Sequence, residues 1–224
     1  MPASRTPLWV LAAALVPAGL VVLASVLQTR FPLDNLYKDV ASGADLILDR
    51  GQHTGTFPAH LGAISNLGVV LWCFTAGVCA AGAGVLRARS REATCLGAAA
   101  ALTLVFGVDD LSLFHERIAA RALGVDENWI FACYGLALAA YLVSFRQTLL
   151  GLDWIVLAAA LVGFGISIFL DVLPVDLGWV GRVGEDGAKL VGISAWTTFH
   201  LRAVWLLTTD ANPGGPSPGS QPAF

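Results

Sequence analysis

Long apolar runs separated by shorter polar stretches dominate this chain. A transmembrane helix needs roughly 20 mostly apolar residues, and six segments reach or approach that length. They are residues 8–27, 61–86, 95 to about 116, 129–145, 153–173 and 187–207. The pattern therefore predicts an all-α fold, a polytopic bundle of six transmembrane helices that forms a single domain over residues 1–210.

The connection between the first two spans, residues 28–60, is too polar to cross a membrane. Apolar residues recur there at helical spacing on one face, namely Leu33, Leu36, Tyr37, Val40, Ala44 and Ile47. This periodicity predicts an extracytoplasmic amphipathic segment with a helix lying at the membrane interface. Residues 211–224 are rich in Pro, Gly and Ser, which predicts a disordered C-terminal tail.

Composition supports a membrane location and excludes other classes. Of the 224 residues, 56% are hydrophobic and 13% are charged, and the mean hydropathy is +0.71. Soluble proteins carry about 25% charged residues. The net charge of −3 gives no basic surface for nucleic acid, so the expected partner is the lipid bilayer. The four cysteines lie in apolar runs without a C-x-x-C pair, which argues against a disulfide framework or a zinc knuckle.

The short loop at residues 87–94 indicates the orientation. Its sequence, RARSREAT, contains Arg87, Arg89 and Arg91, and short basic loops stay in the cytoplasm. Six spans then place the N- and C-termini in the cytoplasm, with the chain in the cell inner membrane as a multi-pass protein.

Polar side chains inside the predicted spans converge at one end. Each ionisable group there costs about 2.5–3.5 kcal/mol on insertion and usually faces a bundle interior or cavity. Asp109 and Glu116 share a face of the third span, and Lys189, Trp196 and His200 form a stripe on the sixth. Apart from His200, the polar groups lie in the outer half. We therefore expect an outward-facing polar cavity with the candidate residues Asn66, Asp109, Asp110, Asp171, Glu185, Lys189 and His200.

An overlapping set of acidic and imidazole side chains could hold a divalent metal. Carboxylate and imidazole ligands suit Zn or Fe, and the candidate ligands are Asp109, His115, Glu116, Asp171 and Glu185. The set lacks the E-x-x-H spacing of helix-bundle di-metal centres. The alternative is that these residues are hydrated helix ends and interhelical hydrogen-bond partners. For the glycine-rich LGWVGRVGEDG stretch, residues 177–187, one interpretation is functional, a flexible outer loop that opens and closes.

Three motifs together resemble a family of uncharacterised bacterial multi-pass membrane proteins. They are GAISNLGVVLW at residues 62–72, DDLSLFHE at 109–116 and EDGAKLVGISAW at 185–196, with SIFLD at 167–171 as a weaker fourth. The resemblance covers most of residues 60–205. It implies a membrane fold and no particular reaction.

Two other comparisons are weaker. Alkaline ceramidases and adiponectin receptors use a Ser, an Asp and three His around zinc, and Ser65, Asp109 and His200 could match part of that set. The closing H-x-x-x-H pair and a seventh span are missing. Microbial rhodopsins carry an acid four residues before a lysine, as Glu185 and Lys189 do, but they too have seven spans.

Three functions remain open from the sequence. The first is a non-catalytic membrane subunit or scaffold, with membrane-protein partners or a second copy of the chain. The second is a metal-dependent intramembrane enzyme, hydrolase-like, acting on a lipid-like substrate. The third is a proton- or cation-coupled transporter, although no inverted repeat is visible.

Overall fold

A computed structural model describes residues 6–37, 59–86, 90–114, 118–119, 124–172 and 177–210. Within these ranges the chain is helical and contains no strand. In chain order the helices are α1 (Leu8–Leu27), α2 (Leu33–Tyr37), α3 (Ala63–Val85), α4 (Ser90–Ser112), α5 (Glu127–Ser144), α6 (Arg146–Leu150), α7 (Trp154–Val172) and α8 (Gly178–Asp210). The all-α prediction is confirmed for the described part of the chain.

Five helices in the described ranges are long and apolar enough to cross a membrane: α1, α3, α4 from Arg91 onward, α7 and α8. They fit a membrane protein. The fourth predicted span corresponds to α5, which has 18 residues and is not among the five. Its first turn contains Glu127 and Asn128, which lower its mean hydropathy. The count of six spans therefore stays a prediction.

The long helices alternate in direction around α8. Trp9 near the start of α1 lies under the Arg202 guanidinium, whereas Val22 near its end faces Gly187. Contacts of the same kind show that α4 and α7 run antiparallel to α8, whereas α3 and α5 run parallel to it. One end of the bundle, here called the cavity end, is where α3, α5 and α8 begin.

Helix α8 extends further than its apolar core predicts. It has 33 residues and begins at Gly178 rather than at residue 187. The glycine-rich stretch is therefore helical, and the alternative of a flexible outer loop is wrong. Gly178 has a φ of +60°, which L-residues rarely adopt, so a glycine suits the turn into the helix. Trp196 and Phe199 on α8 are almost fully buried and form the centre of the hydrophobic core.

Helices α7 and α8 approach each other through two glycines. A Cβ atom on Gly163 would lie 2.8 Å from the Cα atom of Gly192. Such backbone contact is possible only with small residues, as is typical of packed membrane helices. This contact fixes the position of the α7 residues that reach the cavity end.

The short helix α2 packs over the cavity end. Leu36 and Tyr37 are buried in a second apolar cluster with Ala18, Ile64 and Leu190. Gly62, with a φ of +68°, donates its N–H to the Asn35 carbonyl at 2.7 Å and precedes α3. Most of the predicted interfacial helix, residues 38–58, lies outside the described residues, as does the predicted tail at 211–224. Both stay predictions.

The outer faces of the helices are strongly apolar. Leu8, Val85 and Leu136 have exposed fractions of 85%, 72% and 71%. Exposed apolar surface on this scale marks an interaction surface in a water-soluble protein, and in a membrane it is the surface that contacts lipid. The exposed faces therefore support the same conclusion as the helix lengths.

Candidate functional site

A cavity of about 440 Å³ lies at the cavity end of the bundle. Its volume falls in the range of about 300–1,000 Å³ typical of small-molecule sites. Side chains from α2, α3, α4, α5, α7 and α8 line it, including Tyr37, Ser65, Trp72, Phe106, Asp109, Asp110, Phe131, Tyr134, Phe164, Ser167, Asp171, Arg182, Glu185, Asp186 and Lys189. The lining divides into a polar wall and an aromatic wall.

Asp110 on α4 organises the polar wall. Its Oδ1 atom accepts a hydrogen bond from Lys189 Nζ at 2.6 Å, and its Oδ2 atom accepts one from Trp72 Nε1 at 2.8 Å. The Asp110 side chain is 11% exposed and that of Lys189 is 37% exposed. One carboxylate thus connects α3, α4 and α8, and both of its oxygens have a donor.

The neighbouring Asp109 connects α4 to α5 instead. It is buried, and its Oδ1 atom accepts a hydrogen bond from the Tyr134 hydroxyl at 2.9 Å. Consecutive residues on a helix point about 100° apart, so the two aspartates contact different neighbouring helices. The pair therefore fixes α4 against three other helices at one depth.

Aromatic rings form the second wall, which adjoins the polar wall where Trp72 donates to Asp110. The Trp72 ring stacks on Phe164 and meets Phe106 edge-on, with centroid distances of 5.6 Å in both cases. Phe106 in turn meets Tyr134 at 5.5 Å. Each separation lies in the range of favourable aromatic pairs, so the wall is a continuous ring cluster from α3 to α5.

The cavity is acidic overall. Its lining contains five carboxylate side chains, Asp109, Asp110, Asp171, Glu185 and Asp186, and two cationic ones, Arg182 and Lys189. The formal charge of the lining is therefore −3. Both cations already contact acids, because Arg182 Nη2 lies 2.8 Å from Asp34 Oδ1 and Lys189 pairs with Asp110.

Tyr37 contributes a neutral hydroxyl from α2. Burial raises the pKa of the Tyr37 phenol, the hydrogen bond with Ser25 opposes that shift, and the Asp186 charge adds to it. The hydroxyl is therefore protonated at neutral pH and contacts Ser25 Oγ. It provides the cavity with a polar group that carries no charge.

The structure places five of the seven predicted cavity residues on this cavity: Asp109, Asp110, Asp171, Glu185 and Lys189. The other two lie elsewhere. Asn66 is exposed on α3, and its neighbour Ser65 contributes to the lining instead. His200 is buried in the core, where its Nδ1 faces the Trp196 carbonyl at 2.9 Å and its Nε2 faces the Tyr141 hydroxyl at 3.2 Å.

The predicted metal ligands are only partly described. His115 and Glu116 lie outside the described residues, whereas Asp109, Asp171 and Glu185 line the cavity. Among the described residues, no group of three or more His, Cys, Asp or Glu side chains is placed to hold a metal ion. Metal binding thus gains no support from this part of the chain.

Several lining residues carry little signal in the sequence. Trp72, Tyr134 and Phe164 lie within apolar runs, where an aromatic residue is most often a core residue. Two of them could have been predicted from their polar atoms. A buried indole N–H, as in Trp72, or a buried phenol O–H, as in Tyr134, usually has a hydrogen-bond partner.

Away from the cavity, polar side chains connect α8 to its neighbours in pairs. Thr197 accepts a hydrogen bond from Thr75 of α3 at 2.8 Å, and Trp196 donates one to Thr103 of α4 at 2.9 Å. Arg202 donates one to buried Asp153, just before α7, at 3.0 Å. These contacts are typical of interhelical hydrogen bonds that hold a membrane bundle together.

Comparison with known proteins gives a family without an assigned activity. The family described as a domain of unknown function (DUF8692) matches residues 8–203, and the chain belongs to it. No curated protein matches the chain, and no solved structure matches it. The family agrees with the resemblance to an uncharacterised family, whereas the particular motifs and the bacterial origin stay predictions.

Proposed function

We propose that this chain is a non-catalytic membrane subunit that binds a small amphipathic molecule in its cavity. The observation that carries the proposal is the cavity of about 440 Å³, whose lining combines an ion pair with an adjoining aromatic cluster. A ligand with a polar head and an apolar body matches both walls, since binding sites combine apolar lining with a few placed polar groups.

Access from the bilayer is suggested by the loose packing of α5. Tyr141 is the single buried residue among the 18 of this helix, and the helix packs chiefly on α4. Across the cavity, Ile168 and Asp171 of α7 belong to the lining and are exposed. We propose that the cavity opens to lipid between α5 and α7. An amphiphile could enter there with its chain still in lipid.

The proposal includes six spans with both termini in the cytoplasm of a bacterial cell. Support comes from α5, which contacts α4 through Tyr134–Asp109 and α8 through Tyr141–His200 and so lies alongside both of these helices. Six alternating helices return the chain to its starting side. The basic loop at 87–94 then places the cavity end outside.

Cysteine labelling tests this topology on α5 itself. Glu127→Cys at one end of α5 should react in intact cells with a membrane-impermeant maleimide, whereas Gln147→Cys just beyond the other end should react only after permeabilisation. Exposed Cys73 and Cys133 are replaced by alanine beforehand to remove background. Labelling of both positions in intact cells would show that α5 does not cross, and the reversed pattern would invert the orientation.

Ligand binding can be tested with a matched pair of glycines. A Cβ atom added to Gly135 on α5 or to Gly165 on α7 would have no neighbouring atom within 4 Å, and of the two only Gly135 lines the cavity. Gly135→Trp should fill the cavity, whereas Gly165→Trp adds the same bulk outside its lining. Organic extracts of the purified proteins are compared by mass spectrometry for co-purifying amphiphiles.

The expected result is a molecule that is present at near-stoichiometric amount in wild type and Gly165→Trp and lost from Gly135→Trp. Equal amounts in all three proteins would show that the cavity is not the binding site. Both variants should remain monodisperse in size-exclusion chromatography, because the introduced side chains meet open space at their Cβ positions.

The two alternatives, a metal-dependent hydrolase and a proton- or cation-coupled transporter, stay predictions, as do membrane-protein partners and a homo-oligomer. The pairwise contacts of α8 with its neighbouring helices favour the non-catalytic role, since they use polar groups to hold the bundle. Elemental analysis of the purified protein tests the hydrolase alternative: stoichiometric Zn or Fe would favour it over our proposal.

A further inference from the structure

We infer that the ligand of this cavity is an organic cation, an amine or ammonium group attached to a hydrocarbon body. The inference rests on the proposed function and specifies its ligand class. It starts from the charge of the lining, where five carboxylate side chains face the same volume as two cationic ones. The formal charges of these seven groups sum to −3, so the lining favours a cationic head over an anionic one.

The placement of the two cations disfavours an anionic head. Lys189 Nζ is 2.6 Å from Asp110 Oδ1, and Arg182 Nη2 is 2.8 Å from Asp34 Oδ1. A phosphate or carboxylate would have to compete with these carboxylates for the same N–H donors. It would also approach Asp171, Glu185 and Asp186, which repel it.

The aromatic wall favours an organic cation over a bare ion. Trp72, Phe106, Phe131, Tyr134 and Phe164 all line the cavity, and Trp72 stacks on Phe164. Aromatic faces attract cations and are the usual contacts of quaternary ammonium groups. They also accept the methyl or methylene groups that surround such a charge. The lining therefore combines two features that suit ammonium recognition, carboxylates and aromatic rings.

The volume requires more than a small cation. A tetramethylammonium-sized head occupies a minor part of about 440 Å³, and the remaining lining includes Leu113, Leu138 and Ile168. A hydrocarbon chain attached to the head would fill this apolar part and leave through the opening between α5 and α7. The structure thus fits an amphiphile whose cationic end is the part recognised.

The test uses three probes with the same octyl chain: octyltrimethylammonium, octyl sulfate and octyl glucoside. Each is titrated by calorimetry into purified protein in dodecyl maltoside, with protein-free micelles as the blank. Asp171→Asn removes a cavity charge at an exposed position, and Glu92→Gln removes an acid at the opposite end of the bundle as the control. Phe131→Leu removes one ring, and Phe131→Tyr retains a ring at that place.

We expect octyltrimethylammonium to bind more tightly than either other probe. Asp171→Asn should weaken its binding roughly fivefold, the size of a unit-charge contact near 4 Å in a water-like dielectric. Phe131→Leu should weaken it roughly twofold to thirtyfold, the range of a cation–π contact. Glu92→Gln should bind like wild type, and Phe131→Tyr should bind more tightly than Phe131→Leu.

Three other outcomes overturn the inference in distinguishable ways. If octyl sulfate or octyl glucoside binds as tightly as the ammonium probe, and Gly135→Trp abolishes that binding, the cavity binds amphiphiles but does not select cations. If none of the probes binds and Gly135→Trp loses no co-purifying molecule, the proposed function fails with it. Displacement of the ammonium probe by millimolar Zn²⁺ or Mg²⁺ at constant ionic strength would identify an inorganic cation site instead.

Discussion

Replacing Lys189 by Met tests whether the ion pair at the cavity is a stabilising contact. Methionine keeps most of the apolar length of lysine and removes the charge that lies 2.6 Å from Asp110 Oδ1. Asp110 would then retain one donor, the Trp72 indole N–H at 2.8 Å. Its other oxygen would face the cavity without the lysine.

The magnitude follows from the exposure of the two side chains. Removing one partner of a fully buried pair costs about 3–5 kcal/mol, whereas exposed pairs contribute about 0–1 kcal/mol. The Asp110 side chain is only 11% exposed and so resembles a member of a buried pair. The Lys189 side chain is 37% exposed, so solvent partly screens its charge. We expect Lys189→Met to lower the free energy of unfolding by about 2 kcal/mol, between those limits.

The assay is a double-mutant cycle in mixed micelles of SDS and dodecyl maltoside, with Lys189→Met, Asp110→Asn and the double variant. Removing both charges should cost clearly less than the sum of the single effects, with a coupling of about 1 kcal/mol or more. The pair Arg182–Asp34 is the control, because its two side chains are 38% and 35% exposed. If Lys189→Met costs no more than Arg182→Met and the cycle is additive, the ion pair does not stabilise the bundle.

Three further substitutions test the packing that positions the cavity, each followed by the same unfolding measurement. Gly163→Ala places a methyl group 2.8 Å from the Gly192 backbone and should cost about 1–3 kcal/mol, whereas Gly165→Ala meets no atom within 4 Å and should be neutral or slightly stabilising. Arg202→Met leaves Asp153, whose side chain is 1% exposed, without its ion-pair partner and should cost about 3 kcal/mol or more. Trp72→Phe keeps the ring stack but removes one donor to Asp110 and should cost about 1–3 kcal/mol. A loss for Gly165→Ala equal to that for Gly163→Ala would contradict the close α7–α8 contact, and no loss for the other two would contradict their hydrogen bonds.

The sequence predicts helices well where their ends coincide with a change in polarity. The apolar pattern predicts the first span at residues 8–27, and α1 is Leu8–Leu27. It predicts the third from Cys95, but α4 begins at Ser90. Hydropathy starts this helix too late, because its first turn contains Glu92, an acid that a helix N-terminus favours. Hydropathy also misses the start of α8, since its first turns contain polar residues and glycines. Apolar content measures the part of a helix that suits lipid, and helices continue beyond it.

For the candidate site, the sequence predicts the level of a residue along the bundle better than the side chains that it contacts. Helical spacing and a common level place Asp109, Asp171 and Lys189 at one end of the bundle, and the structure lines one cavity with them. The rotation of each helix about its axis decides which side chains meet. That rotation follows from packing such as the Gly163–Gly192 contact, which no residue pattern expresses. The sequence therefore does not predict the contacts of Asp110 with its two donors, or the position of Asn66 outside the cavity.

The polar residues of α8 show how one helix can serve both stability and binding. At Thr197, His200 and Arg202 each side chain meets a partner on a neighbouring element, and these residues are buried or partly buried among packed side chains. At Glu185, Asp186 and Lys189 the same helix faces an open volume that no side chain fills. Stability alone would favour closing that volume with larger apolar residues, because an unfilled cavity costs stability. A bundle that keeps carboxylates, a lysine and aromatic rings around about 440 Å³ therefore has the composition expected of a binding site.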